Sequence, residues 1–194
     1  MRVDGLERLP AQGPVILAIN HLSMLDPILI GALVPRVVHF MAKEELFRYP
    51  LLAPVLRWVH AFPVRRGQPD REALARALAI LRRGEVVGIF PEGTRGVEGR
   101  LLPLQAGTAF LALKSGAVVV PVAIVGTHRA MPRGAWWPRR VGVLVRIGEP
   151  LPVAAGQVRE GGLRRAELQQ LSARIHHALH RLVTQLLSEA PGTP

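Results

Sequence analysis

The stretch PVILAINHLSMLDPILIGALVPRVVHFM (residues 14–41) decides the fold, because it reads as an apolar strand, a helical segment and a second apolar strand. Residues 14–20 and 36–41 are nearly continuous in apolar side chains, which is typical of strands that are buried on both faces. The helical segment between them opens near Asp26 and Pro27, a pair that suits the start of a helix. A strand, a helix and a strand in succession predict two parallel strands of one sheet.

The same alternation continues along the chain. Further strands are predicted over residues 61–66, 85–90, 117–125 and 141–147, and helices over 70–84, 104–116 and 163–190. Asp70 is the predicted N-cap of the second helix, Gly84 its stop, and 163–190 is a long amphipathic helix. The chain is therefore predicted to be a single α/β domain over residues 1–194, with a largely parallel central sheet flanked by helices.

Composition narrows the classes of partner. The 194 residues carry a formal charge of +11 and contain no cysteine, which favours an anionic partner and excludes disulfides and thiolate metal sites. Aromatic residues make up only 5%, too few for base-stacking platforms, so no nucleic acid is expected. No apolar run is long enough to span a membrane, and residues 1–15 lack the pattern of a signal peptide. We expect a peripheral protein at the cytoplasmic face of an anionic membrane.

His21 and Asp26 are the first candidate site, because they follow a strand whose carboxyl end is where open α/β sheets bind ligands. On a regular helix the two residues would lie about 140° apart, so they meet only if the residues between them form a turn. A paired Asp would hold one imidazole nitrogen and leave the other to accept a proton. The alternative is a helix-capping Asp26 beside a core histidine.

Two more strand ends carry polar groups. EVVGIFPEGTRG (85–96) ends in Glu92, Gly93, Thr94 and Arg95, and FPVRRG (62–67) ends in Arg65 and Arg66. Glycine lets the backbone approach a ligand closely, and guanidinium groups bind phosphate oxygens. Solvated loops would explain each segment alone, but three such ends at one edge favour a binding site for a phosphorylated ligand.

In this order, NHLSMLD, FPVRRG, FPEGTRG and VVPVAIVG resemble the four motif blocks of the glycerolipid acyltransferases, notably the 1-acyl-glycerol-3-phosphate acyltransferases, over about residues 5–150. The resemblance implies that His21 and Asp26 are the catalytic dyad and that Arg66, Glu92, Gly93, Thr94 and Arg95 bind the substrate. It also implies that an acyl thioester, acyl-CoA or acyl-carrier protein, acylates a lysophospholipid hydroxyl by general-base catalysis. No cofactor and no metal are expected.

Three residues depart from the family pattern. Gln105 stands where the family commonly has a Lys, Gly96 where a Ser is usual, and His60 where a Gly is frequent. Gln105 leaves the acceptor open between 1-acyl-glycerol-3-phosphate, glycerol 3-phosphate and a lyso-aminolipid. A thioesterase and a non-enzymatic basic membrane-binding protein are the remaining alternatives.

Two segments are candidates for contact with the membrane. Residues 43–62 combine large apolar side chains with arginines, and 126–140 form a predicted surface loop with Trp136 and Trp137 among four arginines. His176 and His180 have the spacing of helical metal ligands, but no carboxylate completes a site, so a solvated helix face is expected there.

Overall fold

Seven strands form one sheet in the part of the chain that the computed structural model describes, residues 1–65, 70–97, 100–153 and 165–190. The strands are β1 (Arg2–Asp4), β2 (Val15–Ile19), β3 (Val38–Lys43), β4 (Phe62–Val64), β5 (Val86–Ile89), β6 (Val118–Val125) and β7 (Leu144–Ile147). Their order across the sheet is β1-β7-β6-β2-β5-β3-β4. All neighbours are parallel except β6 and β7. The predicted α/β fold with a largely parallel sheet is confirmed.

The described residues contain six α-helices, of which the first, third, fourth and sixth lie where the sequence pattern predicts them. They are α1 (Leu25–Leu33), α2 (Ala53–Trp58), α3 (Arg71–Arg82), α4 (Gly107–Ser115), α5 (Thr127–Ala130) and α6 (Arg165–Ser188), with 3-10 turns at Leu6–Arg8 and Glu44–Arg48. The Asp70 carboxylate accepts the Ala73 N–H at 3.1 Å, which confirms the predicted N-cap of α3. Gly84, with φ 75°, follows the end of that helix as predicted. The first two residues of the predicted 163–190 helix lie outside the described residues.

Both faces of the sheet are covered. One face packs under α3, α4 and α6 through a cluster that includes Ile16, Ala77, Leu111 and Ile175. The other face packs against α1 and the segments around it. All five residues of β2 are buried, since this central strand has helices on both sides. This double covering explains the continuously apolar strand sequences.

Three local features differ from the sequence prediction. β1 was not predicted, because it has only three residues, two of them charged. Helix α1 begins at Leu25 with Met24 at the N-cap position, so Asp26 lies inside the first turn. The alternative in which Asp26 caps the helix is wrong, because its carboxylate accepts N–H groups of Leu22 and Ser23, which precede the helix.

The segment predicted as a loop over 126–140 begins with the one-turn helix α5 and continues as turns. None of the helices in the described residues combines the length and the apolar character that crossing a bilayer requires.

Candidate active site

The candidate site lies at the carboxyl edge of the sheet, at its centre. β2 is hydrogen-bonded to β5 on one side and to β6 on the other, all in parallel, so the three strands end at the same edge. His21 follows β2, and the turn that contains Glu92 follows β5. The sheet thus brings together two motifs that are 71 residues apart in the sequence.

His21 and Asp26 meet because residues 20–23 form an irregular turn before α1. The distance between His21 Nδ1 and Asp26 Oδ2 is 2.8 Å. Oδ2 also accepts the backbone N–H groups of Leu22 at 2.7 Å and Ser23 at 2.8 Å. The Asp26 side chain is fully buried, whereas the His21 side chain is 11% exposed. Because an ionised carboxylate only accepts hydrogen bonds, Nδ1 carries the imidazole proton and Nε2 is left as the basic nitrogen.

A column of aromatic rings fixes the plane of the imidazole. The His21 ring stacks on Phe90, with ring centroids 4.1 Å apart, and Phe90 lies 6.0 Å from Phe40. Phe40 is fully buried in β3 and passes over Gly88 of β5, where a Cβ atom would overlap its ring. The apolar residues around the dyad therefore hold one face of the His21 ring and keep water from it.

Glu92 joins the two turns of the site. Its Oε1 accepts the His21 N–H at 2.9 Å and its Oε2 accepts the Leu102 N–H at 3.0 Å. The Gly96 N–H donates to the His21 carbonyl oxygen at 2.8 Å, so the backbone of His21 is held on both sides. Burial raises the pKa of the Glu92 carboxyl, although the hydrogen bonds from Leu102 and His21 lower it. Both Glu92 side-chain oxygens already accept backbone N–H groups. The binding of a substrate by Glu92 stays a prediction.

Gly93 makes the turn after β5 possible. Its φ of 70° lies in the left-handed region, and its N–H donates to the Phe90 carbonyl oxygen at 3.0 Å. The Gln105 side chain lies directly against the Cα of Gly93, and the Gln105 N–H donates to Pro91 at 2.8 Å. The residue that departs from the family pattern therefore contacts the FPEGTRG turn itself.

Two of the three remaining predicted binding residues, Thr94 and Arg95, lie in the part of the chain that the structure describes. Thr94 is exposed and Arg95 is half-buried, both in the turn after β5. The Arg95 carbonyl oxygen accepts a hydrogen bond from the Arg133 guanidinium at 2.8 Å. Arg66 lies outside the described residues, so its binding role stays a prediction.

Asn20 is a positioning residue that the sequence patterns did not reveal. Its buried side chain accepts the Ile124 N–H at 2.7 Å and donates to the Ile124 carbonyl oxygen at 2.9 Å. These two bonds extend the pairing of β2 with β6 to the residue before His21. The signal was present in the sequence as an amide directly after an apolar strand, but its partner is 104 residues away.

Within the described ranges, no three His, Asp or Glu side chains come together as a metal site requires. His176 and His180 stack on each other on α6, with centroids 6.1 Å apart.

Three comparisons bear on the identity of the site. The family model described as Acyltransferase matches residues 1–125. The chain is 37% identical over 127 residues to a 1-acyl-sn-glycerol-3-phosphate acyltransferase of Bacillus subtilis, covering 65% of this chain and 63% of that protein. It is 33% identical over 138 residues to a chloroplastic 1-acyl-sn-glycerol-3-phosphate acyltransferase of Arabidopsis thaliana, covering 70% and 38%.

The fold is also similar to a solved structure. The crystal structure of the 1-acyl-sn-glycerophosphate acyltransferase PlsC from Thermotoga maritima superposes with a TM-score of 0.75 at 28% identity, over 100% of this chain and 73% of that one. The matches to the two sequence relatives span less than two thirds of the length of those proteins.

Proposed function

Because this chain belongs to the acyltransferase family, we propose that it moves an acyl group from a thioester to the free hydroxyl of a lysophospholipid. The proposed acceptor is 1-acyl-glycerol-3-phosphate, the proposed product is phosphatidic acid, and the donor is acyl-CoA or acyl-carrier protein. One observation carries the proposal: the 2.8 Å contact between His21 Nδ1 and the fully buried Asp26 carboxylate.

His21 acts as the general base in this proposal. Its Nε2 takes the proton of the acceptor hydroxyl while the oxygen attacks the thioester carbonyl carbon. Asp26 stabilises the imidazolium that forms and holds the ring in place. The C–S bond then breaks, the ester remains on the acceptor, and the thiolate takes the proton back from His21. The protein needs no nucleophile of its own, because the acceptor supplies it.

The turn after β5 would bind the acceptor. The half-buried Arg95 guanidinium has the geometry for phosphate oxygens, and Arg66 is proposed to add a second cation. Gly93 and Thr94 shape the turn that brings the backbone to the ligand, and Glu92 holds that turn against His21. Binding of the phosphate would place the free hydroxyl beside Nε2, which lowers the entropic part of the barrier.

The reaction is proposed to occur at the cytoplasmic face of an anionic membrane, with the protein bound as a peripheral protein. The formal charge of +11 and the lipid nature of the acceptor support this location.

A second acceptor class follows from Gln105. Its neutral side chain packs against Gly93 in the turn that would hold the phosphate, where a Lys would add positive charge. This contact favours an acceptor with a smaller negative charge, such as a lyso-aminolipid.

The test is mass spectrometry of the products formed from mixed acyl thioesters and a mixture of lysophospholipids, glycerol 3-phosphate and lyso-aminolipids. We expect phosphatidic acid from the wild-type protein and no ester from His21→Ala. A Gln105→Lys variant that shifts the products toward the phosphate acceptor would favour the second class. Release of free fatty acid without ester, or wild-type turnover in His21→Ala, would contradict the proposed reaction.

A further inference from the structure

Residues 131–140, here called the tryptophan loop, expose two of the three tryptophan side chains of the chain. Trp136 is 84% exposed and Trp137 is 83% exposed. Arg133, Arg139 and Arg140 in the same loop are exposed as well. Paired indole rings in water are costly unless they meet a partner, and tryptophan beside arginine is the pattern of a membrane interface.

The tryptophan loop is held in shape by its own backbone. The Arg139 N–H donates to the Ala130 carbonyl oxygen at 2.7 Å, which closes the loop at its base. The Ala135 N–H donates to Pro132 at 3.0 Å and forms a turn just before the two indole rings. The loop therefore presents Trp136 and Trp137 at its tip.

The same loop is bonded to both turns of the active site. Ser23, in the turn between His21 and Asp26, donates from Oγ to the Met131 carbonyl oxygen at 3.1 Å. The Arg133 guanidinium donates to the Arg95 carbonyl oxygen at 2.8 Å. A surface that binds the tryptophan loop would therefore lie next to the active site.

Other exposed apolar residues lie in segments that follow strands ending at the same edge of the sheet. Met24 follows β2, Leu51 follows β3 and Val97 follows β5, and they are 38%, 79% and 72% exposed. Since these strands are parallel, the three segments start from the same carboxyl edge of the sheet as the residues that follow β6.

We propose that the tryptophan loop docks this protein on a bilayer that contains anionic phospholipid. The indole rings of Trp136 and Trp137 enter the headgroup region, and the three arginines contact the lipid phosphates. Docking by this loop places the mouth of the active site at the lipid surface, where a lysophospholipid reaches it without crossing water. This last consequence rests on the proposed function, whereas vesicle binding by the loop does not.

Tryptophan fluorescence tests the proposal directly, because the chain has only three tryptophans. A Trp58→Phe variant of the full chain retains only the two indoles of the loop. With vesicles of phosphatidylcholine and phosphatidylglycerol, we expect its emission to shift to the blue and to be quenched by brominated lipid. Arg139→Gln with Arg140→Gln should weaken vesicle binding by about fivefold for each arginine.

The matched control is Trp136→Phe with Trp137→Phe, which leaves Trp58 as the reporter. Trp58 is 64% exposed at the end of α2, just before β4 begins at the opposite edge of the sheet. Its emission should not change with vesicles. An unchanged emission of the loop indoles overturns the proposal, and so does full vesicle binding by Trp136→Ser with Trp137→Ser. A blue shift of the loop indoles without ester formation would support docking and refute the proposed acyl transfer. Ester formation without that blue shift would support the acyl transfer and refute docking by the tryptophan loop.

Discussion

The candidate active site contains two buried carboxylates, Asp26 and Glu92, that are hydrogen-bonded in different ways. Asp26 uses one oxygen for three hydrogen bonds, one of them from the His21 ring. Glu92 uses each oxygen for one backbone N–H, those of His21 and Leu102. The Asp26 carboxylate is hydrogen-bonded to the His21 imidazole. The Glu92 carboxylate links the backbone at His21 to the backbone at Leu102. Both residues are buried and both contact His21, but under the proposed function Asp26 has a chemical role and Glu92 a positioning role.

The largest difference should appear in Asp26→Asn. The amide oxygen can replace Oδ2 and keep its hydrogen bonds, while the NH2 group replaces Oδ1, which has no partner among the described residues. The variant then loses the charge that stabilises the imidazolium, and we expect kcat to fall about 10²–10⁴-fold with little change in unfolding free energy. Steady-state transfer assays and urea unfolding measure the two quantities.

The control for this variant is Asp4→Asn, which removes a carboxylate bonded to Arg146 at the far edge of the sheet. It should keep wild-type kcat. An Asp26→Asn protein that retains most of its activity would show that the carboxylate charge is not needed at His21.

Glu92→Gln should show the reverse pattern. The amide NH2 group of Gln must face one of two backbone N–H donors, so one buried hydrogen bond is lost. We expect the free energy of unfolding to fall by about 1–3 kcal/mol, with a smaller loss of kcat than in Asp26→Asn. Chemical unfolding and the transfer assay test both parts.

Glu149→Gln is the matched control, because Glu149 is 73% exposed and pairs with Arg8 at the surface. Its unfolding free energy should change by about 1 kcal/mol or less. If Glu92→Gln were as stable as wild type and as inactive as Asp26→Asn, the division of roles between the two carboxylates would be wrong.

Gly93→Ala tests how much the stability of the protein depends on the turn after β5 that contains Glu92. Alanine at a φ of 70° costs about 1–2 kcal/mol, and its Cβ would also displace the Gln105 side chain. Gln105→Ala in the same protein removes that overlap but not the backbone cost. Gly107→Ala is the control, since its added Cβ in α4 meets nothing within 4 Å beyond its chain neighbours and the backbone of its own helix. Thermal unfolding of the three variants separates backbone strain from side-chain overlap, and a Gly93→Ala protein of wild-type stability would refute both.

The difference between the carboxylates also shows what a sequence can predict. The strands β2 to β7 and the helices α3, α4 and α6 follow from apolar patterns and caps, because these are local signals. The position of Asp26 near His21 required only a turn over residues 20–23, and the sequence left that option open. Glu92 could be placed in a site turn, but not against the His21 N–H, since that contact joins two separate strand ends.

The features that escaped prediction share a physical cause. β1 is too short and too polar to show a strand pattern, and its hydrogen bonds to β7 are what make it a strand. The antiparallel pairing of β6 with β7 depends on how residues 126–143 cross the sheet edge, which no local pattern encodes. Asn20 gains its role from Ile124 of a strand that comes much later in the chain.

The smallest expected effect is the contribution of the Glu92 carboxyl to the pH dependence of the free energy of unfolding. Burial raises the pKa of this carboxyl in the folded protein, so the folded state holds the Glu92 proton to a higher pH than the unfolded state does. From the usual glutamate pKa of about 4.3 upward, the unfolded chain has therefore lost a proton that the folded chain keeps. The stabilisation is complete below this value and is lost as the pH rises through the raised pKa.

Urea unfolding of wild type and Glu92→Gln over a series of pH values isolates this contribution, because all other groups titrate in both proteins. The wild-type advantage should shrink as the pH rises from about 4.3, by at most about 1.4 kcal/mol for each pH unit. Gly93→Ala removes no titratable group and should differ from wild type by a constant amount. An advantage that grows with pH would mean that the hydrogen bonds from His21 and Leu102 outweigh burial. Glu92 would then be stabilised as an anion by these hydrogen bonds, and the contrast between the two carboxylates would narrow to their hydrogen-bond partners.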